Sequence, residues 1–409
     1  MPTSSHPGSA PQPPALPHPP VARAAVAGIP SSRIREIANT GMAEKDVLAF
    51  WFGEPDQVTP ALIREAACAS LARGETFYTQ NLGIPELRDA IAAYVGRLHR
   101  PVAAARVAAT ASGMSALMLA VQALVDPGDR VVAVTPLWPN LTGIPRILSA
   151  NVERVCLSFG ASGWTLDVDR LLAALAPGTR ALLLNSPNNP TGWTIDRDAQ
   201  RAVFDHCDRH GIWIVADDVY ERLYYGDDDV CAPSFLDFAP ETARLISTNS
   251  FSKAWMMTGF RLGWIVAPAA LMPDVGKLIE FNTSCSPAFV QRAGVAAISE
   301  GEPTVAATCA RLRHARDRLI ADLQDLPGVQ AATPQGAMYA LFRIAGMGDS
   351  LAFCRRLVAD AGLGLAPGSA FGPDGEGFVR WCFAASDERL AEGVARLGRF
   401  LDSRRERAA

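Results

Sequence analysis

The sequence has few of the features that mark special classes of protein. Its eight cysteines are scattered along 409 residues without a Cys-x-x-Cys pair or another metal-ligand spacing, which argues against a disulfide framework and a zinc site. No apolar run approaches the roughly 18 residues of a membrane span. Lys and Arg number 38 against 42 Asp and Glu, a formal charge of −4, so no basic excess favours nucleic acid. We therefore expect a cytoplasmic protein that binds no metal, membrane or nucleic acid.

Lysine is the scarcest charged residue. Only Lys45, Lys253 and Lys277 occur, so 35 of the 38 basic residues are arginine. Any mechanism that needs a lysine amine therefore has three candidates.

The chain does contain a regular alternation of helical and strand patterns. Residues 1–28 are rich in Pro, Ala and Ser and show no periodicity, so we predict a disordered tail there. From residue 59 onward, amphipathic helical patterns alternate with short apolar runs, which indicates an α/β fold with a mostly parallel sheet buried on both faces. The predicted helices include 61–73, 85–98, 166–175 and 196–210, and the predicted strands are 130–134, 181–185, 212–217, 245–248 and 262–267.

The pattern changes after about residue 300. A long helix at 303–326 is followed by a strand at 337–344, a helix at 350–361, a glycine-rich loop at 362–377, a strand at 378–384 and a helix at 386–402. This order is typical of a smaller α+β domain, which the segment 30–58 would complete. We predict a large domain over 59–300 and a small domain formed by 30–58 and 301–409.

Two polar segments follow apolar runs, which is where open α/β sheets bind ligands. The run 185–192, Asn-Ser-Pro-Asn-Asn-Pro-Thr-Gly, holds two prolines and a glycine, so it is either a structural turn or a ligand loop. Asp217 and Asp218 follow the apolar run 212–216. A carboxylate there is costly to desolvate unless a positive group, such as a protonated ring nitrogen, faces it, although it would also serve as a helix N-cap.

The third segment, 250–264, holds one of the three lysines. Phe251, Trp255 and Met256 surround Lys253 in the sequence, and Arg261 follows eight residues after the lysine. Burial lowers the pKa of a lysine, so its neutral amine becomes a nucleophile toward an aldehyde. The alternative is a solvated surface lysine.

The fourth segment, Ala-Ser-Gly-Met at 111–114, opens a predicted helix that runs to residue 124. Backbone N–H groups at a helix start bind phosphate well, although many helices begin with Ser-Gly. Together, Lys253 suits a Schiff base, Asp217 a pyridinium nitrogen, and the helix start with Arg261 a phosphate. That combination is what pyridoxal 5′-phosphate (PLP) requires.

With these motifs the chain resembles the class I and II aminotransferases of PLP fold type I, in particular the bacterial aspartate and aromatic aminotransferase-like group. The resemblance runs from about residue 30 to residue 401 and implies that family's fold, with a large PLP-binding domain and a small domain. Its landmarks are Gly-Glu-Pro-Asp at 53–56, Tyr-Thr at 78–79 with Gly-Ile-Pro-Glu-Leu-Arg at 83–88, Ala-Ser-Gly-Met at 111–114, Asn-Asn-Pro-Thr-Gly at 188–192, Asp-Asp-Val-Tyr at 217–220, Ser-Phe-Ser-Lys at 250–253 and Gly-Phe-Val-Arg at 377–380.

The resemblance implies a role for each residue on the cofactor side. Lys253 would form the Schiff base with PLP and carry the proton between the substrate Cα and the cofactor, and Asp217 would pair with the pyridinium nitrogen. Asn189 and Tyr220 would hydrogen-bond the ring oxygen. Trp138 would stack on the ring, unless it is a core tryptophan. The phosphate would be held by Ser112, Gly113, Met114, Ser250 and Arg261.

The substrate side is implied in the same way. Arg380 would bind the substrate α-carboxylate with a bidentate fork that lysine could not reproduce. Gly53, Trp138 and Asn189 would lie beside the substrate. Tyr78 matches a tyrosine that reaches the phosphate of the neighbouring subunit, which implies a homodimer with shared active sites.

Two departures from the family pattern bear on function. Asp218 stands where members commonly have glutamate, and we expect little consequence because the first acid of the pair is the functional one. Met114 stands where acid-specific members tend to have a lysine that meets the distal carboxylate of the substrate. With Leu137, Trp138 and Leu141 nearby in the sequence, we expect an apolar pocket and a neutral or aromatic amino donor rather than aspartate.

The activity that the resemblance implies is ping-pong transfer of the amino group of an L-amino acid to a 2-oxo acid. Two alternatives stay open at this point. Another PLP reaction, such as β-elimination, decarboxylation or racemisation, would use the same Lys253 and Asp217. A PLP-binding regulator is the second alternative, but such proteins usually carry a basic DNA-binding module where this chain has a Pro- and Ala-rich tail.

Overall fold

A seven-stranded sheet lies at the centre of the molecule. The computed structural model describes residues 21–226 and 230–406. Within these ranges, six strands of the sheet run in one direction, and Gly263–Val266 is antiparallel to both of its neighbours. The predicted α/β class with a mostly parallel sheet is therefore confirmed. Across the sheet the strands are Val107–Thr110, Gly263–Val266, Leu245–Ser250, Trp213–Asp217, Thr179–Asn185, Arg130–Thr135 and Asn151–Cys156.

Helices cover both faces of this sheet because its strands are apolar on both sides. Leu183 packs into one buried cluster, whereas Leu182 and Leu184 pack into the cluster on the other face. No helix in the described ranges is long and apolar enough to cross a membrane. The helices around the sheet are Ala61–Ala72, Pro85–Leu98, Gly113–Leu124, Pro139–Ile147, Val168–Ala174, Arg197–His210, Met272–Glu280 and Ala288–Glu300.

A second sheet is built from the C-terminal part of the chain and is entirely antiparallel. Its strands, in order, are Val329–Gln330, Tyr339–Ile344, Phe378–Cys382 and Ala366–Pro367. A further hairpin pairs Ser158–Gly160 with Gly163–Thr165. The helices of the C-terminal part are Glu302–Gln324, Ser350–Ala361 and Asp387–Glu406.

The segment near the N-terminus packs against this C-terminal part. The helix Arg33–Gly41 contacts the helix Ser350–Ala361, and the strand Leu48–Ala49 pairs in parallel with Leu363–Gly364. Both segments contribute side chains to one buried cluster, among them Trp51. These contacts are what a small domain formed by 30–58 and 301–409 requires, although the domain limits themselves stay a prediction.

Three local features differ from the sequence-based expectations. The glycine-rich segment 362–377, expected to be a loop, contains the strands Leu363–Gly364 and Ala366–Pro367, because neighbouring chain segments supply the hydrogen-bond partners. The two edge strands of the central sheet were not expected: Val107–Thr110, whose Val-Ala-Ala-Thr sequence is weakly β-forming, and Asn151–Cys156, whose sequence holds no continuous apolar run. Of the predicted tail, residues 1–20 lie outside the described residues, and a one-turn helix, Ala24–Ala27, occurs in the rest.

Candidate active site

The base of the candidate site is formed where three parallel strands end side by side. In the strand register, Asn185 lies opposite Asp217, and Asp217 lies opposite Thr248. Because the carboxyl ends of parallel strands meet at one edge of the sheet, the loops that follow them converge there. They line a cavity of about 460 Å³.

Eleven of the thirteen residues predicted for the site line this one cavity. Ser112 does not line it but is buried directly before Gly113, which does. Tyr78 lies outside the cavity with 90% of its surface exposed. The eleven are Gly53, Gly113, Met114, Trp138, Asn189, Asp217, Tyr220, Ser250, Lys253, Arg261 and Arg380.

The amine of Lys253 faces the backbone of the segment that enters from the N-terminal side. Its Nζ donates a hydrogen bond to the carbonyl oxygen of Gly53. Burial lowers the pKa of Lys253 to about 8, so the neutral, nucleophilic amine is far more accessible near neutral pH than in a surface lysine. Position 53 requires glycine, because a Cβ there would lie 1.8 Å from the hydroxyl oxygen of Tyr339.

Asp217 places a carboxyl group in the same cavity, where the backbone N–H of Val219 and the charge of Lys253 offset its burial only in part. The residue is 5% exposed, and burial raises its pKa to about 7. In the described part of the chain no basic side chain forms an ion pair with it, so a cationic group in the cavity would be a favourable partner. Asp218 does not line the cavity; it accepts a hydrogen bond from Ser247 Oγ at 2.6 Å.

A corner of the cavity is suited to an anion. The helix Gly113–Leu124 starts there, and its first residues, Gly113 and Met114, line the cavity. A helix start attracts negative charge. The hydroxyls of Ser250 and Ser252 lie 2.8 Å apart at the same corner, and Arg261 supplies a guanidinium. Gly263 allows this close packing, since a Cβ on it would lie 2.5 Å from the backbone nitrogen of Gly113.

Arg380 is a buried cation whose partners are all neutral. It is 2% exposed, and its Nη1 donates to Asn189 Oδ1 at 3.1 Å while Nη2 donates to the Trp51 carbonyl oxygen. Its Cζ lies 4.5 Å from the ring centroid of Tyr339 and 4.9 Å from that of Phe371. Its Nε has no hydrogen-bond partner among the described residues. A carboxylate in the cavity would balance this charge and satisfy its donors.

Sequence reasoning missed two residues that organise the site. Asn185 accepts from the backbone N–H of Asn189 at 2.7 Å and donates to the Asp217 carbonyl at 3.0 Å, which links two strand ends. The Tyr339 hydroxyl lies 2.7 Å from the Tyr220 hydroxyl while its ring packs on Arg380. Asn185 opened the polar run that was noticed, but no sequence signal connects position 339 with position 220.

The residues present fit PLP. A buried amine, a buried carboxyl group without a cationic partner and an anion-binding corner line one cavity, and PLP has an aldehyde, a ring nitrogen and a phosphate to match them. Lys253 would hold the aldehyde, Asp217 the ring nitrogen, and the corner at Gly113 and Arg261 the phosphate.

Comparisons with known proteins agree with this fit. The family model described as "Aminotransferase class I and II" matches residues 45–397. An aspartate aminotransferase of Pyrococcus horikoshii is 34% identical over 91% of this chain and 95% of its own length. An arginine–pyruvate transaminase of Pseudomonas aeruginosa is also 34% identical, over 89% of this chain and 92% of its own.

Solved structures of such enzymes have the same fold. The aspartate aminotransferase of Thermotoga maritima superimposes with a TM-score of 0.87 at 32% identity, covering 93% of this chain and 100% of that one. An aromatic aminotransferase of Pyrococcus horikoshii gives a TM-score of 0.83 at 29% identity, covering 90% and 99%. The chain is a transaminase that uses PLP. It belongs to the class I and II aminotransferase family, with PLP fold type I.

Proposed function

We propose that this enzyme transfers the amino group of a neutral or aromatic L-amino acid, rather than of aspartate, to a 2-oxo acid by a ping-pong mechanism with Lys253 as the covalent attachment point of PLP. The observation that carries the donor preference is Met114, an uncharged side chain in the cavity next to the anion-binding corner. The relatives leave the donor open, because two that are equally identical, at 34%, are named for aspartate and for arginine.

The part of the cavity around Met114 offers no charge to a distal carboxylate. Met114 lines it and packs in one cluster with Leu117 and Trp138. The polar group nearest to the thioether is the side-chain amide of Asn140, whose Nδ2 lies 3.4 Å from Met114 Sδ. An apolar donor side chain would be desolvated there at little cost, whereas a carboxylate would lose its hydration without gaining an ion pair.

Each polar residue of the cavity has a task in this proposal. When bound, PLP supplies an aldehyde that condenses with amines and a ring that withdraws electrons from the substrate Cα. Lys253 binds the aldehyde and then moves the Cα proton, which its lowered pKa favours. Asp217 keeps a proton on the ring nitrogen, and Arg380 fixes the substrate through its α-carboxylate. Tyr220 and Asn189 orient the cofactor by hydrogen bonds.

The test of the donor preference is a comparison of half-reactions. We expect the PLP-loaded enzyme to use phenylalanine, leucine or alanine with a higher kcat/KM than aspartate. Met114→Lys is expected to raise kcat/KM for aspartate by about 10-fold or more, since a hydrogen-bonded charge pair contributes about 1.5–3 kcal/mol. Met114→Gln, which adds no charge, is the control. A wild-type enzyme that prefers aspartate would show the proposed donor to be wrong.

We also propose that the enzyme is a cytoplasmic homodimer with shared active sites. Tyr78 and Phe77 are 90% and 83% exposed in the single chain, and adjacent exposed aromatic residues are typical of a protein–protein contact. No disulfide joins the cysteines of the described residues, which suits a reducing compartment. Light scattering should show a dimer, and Tyr78→Phe should release PLP more readily on dilution than the wild type. A monomer with full PLP retention would refute this arrangement.

A further inference from the structure

A buried histidine that does not line the cavity is connected to the anion-binding corner by hydrogen bonds. His99 is the C-cap residue of the helix Pro85–Leu98, and its side chain is 1% exposed. Its Nδ1 donates to Asp237 Oδ1 at 2.7 Å, and its Nε2 donates to Glu221 Oε2 at 3.1 Å. None of the roles assigned above involves His99.

The contacts of His99 require an imidazolium. A carboxylate only accepts hydrogen bonds, so a ring with a carboxylate oxygen at each nitrogen must donate from both nitrogens, which needs the protonated form. Burial opposes this charge, but the hydrogen bonds with Asp237 and Glu221 outweigh burial and raise the pKa of His99 to about 10. The C-terminal end of a helix also favours a cation. His99 is therefore a buried cation between two acids at neutral pH.

Glu221 continues the chain of hydrogen bonds toward the cavity. It directly follows Tyr220, which lines the cavity, and its side chain is 6% exposed. Its Oε2 faces His99, and its Oε1 accepts from Asn249 Nδ2 at 2.7 Å. Among the described residues, His99 is the only basic side chain within ion-pair distance of Glu221. Without His99, a buried carboxylate would remain with an amide as its side-chain partner.

Asn249 connects this chain of hydrogen bonds to the corner. Its Oδ1 accepts from the backbone N–H of Ser250 at 2.8 Å, which fixes the backbone that carries the Ser250 hydroxyl. A Cβ at Gly113 would lie 2.9 Å from the Cβ of Ser250, so Ser250 packs directly against the start of the helix Gly113–Leu124. One chain of buried hydrogen bonds thus reaches the anion-binding corner through His99, Glu221, Asn249 and Ser250.

We propose that His99 and Glu221 are positioning residues for the phosphate of PLP: the imidazolium holds and neutralises the Glu221 carboxylate, and Glu221 fixes Asn249 and Ser250 at the corner. The inference rests on the proposed placement of PLP in this cavity. The charge of His99 matters as much as its hydrogen bonds, because an unpaired carboxylate behind the corner would repel a phosphate dianion, and a protein interior screens such repulsion poorly.

Titration of the cofactor-free enzyme with PLP and with pyridoxal, which lacks the phosphate, tests the inference without turnover. His99→Gln should weaken PLP binding by about 10-fold or more and leave pyridoxal binding within about 2-fold, because the lost cation affects only the phosphate corner. Asp237→Asn is the matched control. It alters the same buried cluster but keeps an oxygen acceptor for His99 and the pair with Glu221, so both affinities should stay within about 2-fold of the wild type.

A double variant separates the charge from general damage to the fold. Adding Glu221→Gln to His99→Gln removes the unpaired carboxylate but keeps an oxygen that accepts from Asn249, so PLP affinity should return to within about 3-fold of the wild type. If His99 only supported the fold, the double variant would bind PLP no better than His99→Gln. That result, or equal loss of PLP and pyridoxal binding in His99→Gln, would overturn the inference.

Arg261→Met is the reference for the corner itself and should weaken the binding of PLP but not of pyridoxal. If Arg261→Met weakens PLP binding and His99→Gln does not, the role of His99 is wrong and the placement of PLP stands. If Arg261→Met leaves PLP binding unchanged, the corner does not hold the phosphate, and the proposed placement of PLP fails together with the inference.

Discussion

The cofactor side and the substrate side of the site are built in different ways. Asn189, Asp217 and Lys253 lie at or just after the ends of parallel strands of one sheet, and Arg261 lies just before its antiparallel strand. Short motifs mark each of them in the sequence. On the substrate side, Arg380 is held by the carbonyl of Trp51, a residue 329 positions away. The residues on the cofactor side can therefore be found from local sequence motifs, whereas the position of Arg380 depends on packing between distant segments of the chain.

The two sides also differ in electrostatics. Burial raises the pKa of Asp217 to about 7 and lowers that of Lys253 to about 8, so both groups tend toward their neutral forms until a ligand pairs with them. On the substrate side, the protein partners of the Arg380 guanidinium are an amide, a carbonyl and two aromatic rings. Variants on the cofactor side should therefore affect every substrate alike, and variants on the substrate side should mainly change KM.

The largest effect is expected from Lys253→Ala, on the cofactor side. Loss of both the attachment point and the proton-transfer group should lower kcat by at least about 10⁴-fold with every amino acid. Lys277→Ala is the matched control, because Lys277 pairs with Asp274 on the surface. Single-turnover assays of both variants measure the difference. Substantial turnover by Lys253→Ala would place the chemistry on another residue.

Asp217→Asn should come next and should again affect all substrates. Losing the group that holds the ring-nitrogen proton should lower kcat by about 10²–10³-fold, the scale for removing one electrostatic stabiliser. The control is Asp218→Asn, which alters an acid outside the cavity. If the two variants were equally active, the choice of Asp217 over Asp218 would be wrong.

Asp217→Asn lowers activity in this account, but it should raise the stability of the cofactor-free enzyme relative to the wild type as the pH rises. The raised pKa of Asp217, about 7, means that the folded state binds a proton more readily than the unfolded state, so the stability contribution of this group falls as the pH rises to about 7. From pH 5 to pH 8 the free energy of unfolding of Asp217→Asn should gain about 2–3 kcal/mol relative to the wild type. Urea unfolding at each pH measures this difference. The same difference between variant and wild type at pH 5 and at pH 8 would contradict the raised pKa of Asp217.

Arg380→Lys, on the substrate side, should have a smaller and different effect. The bidentate fork and the contacts with both aromatic rings are lost, so KM for donors and acceptors should rise by about 10- to 100-fold while the absorbance of bound PLP stays unchanged. Arg389→Lys is the control, since Arg389 is exposed. A change in the spectrum at constant KM would place Arg380 on the cofactor side instead.

Tyr339→Phe is expected to have the smallest effect. It removes the hydrogen bond to the Tyr220 hydroxyl but keeps the ring against Arg380, so kcat should fall by about 5-fold, the value of one neutral hydrogen bond. Tyr339→Leu, which also removes the ring, should raise KM in addition. Equal effects of the two variants would mean that only the hydroxyl matters.

Particular residues show how far the sequence predicted this structure. The strands before Asn185 and Asp217 were predicted because continuous apolar runs mark buried parallel strands, and the observed strands end at these residues. The helix that opens at 111–114 was also predicted, and the structure shows that Ser112 Oγ caps it by accepting from the N–H of Ser115.

Other features could not be predicted from the sequence because they depend on contacts between distant segments. The two short strands in 362–377 exist only because Leu48–Ala49 and Phe378–Cys382 pair with them. Tyr339 joins the site through its hydrogen bond to Tyr220 and its packing on Arg380, and its position has no local signature in the sequence.

The absorbance spectrum of the PLP-loaded enzyme during titration with single amino acids tests the assigned chemistry most directly. With phenylalanine, leucine or alanine, the band of Lys253-bound PLP should give way to that of pyridoxamine phosphate, return when a 2-oxo acid is added, and be absent from Lys253→Ala. Aspartate should be less effective. A protein that cannot be loaded with PLP, or one that releases ammonia and a 2-oxo acid without forming pyridoxamine phosphate, would contradict a transaminase acting through Lys253.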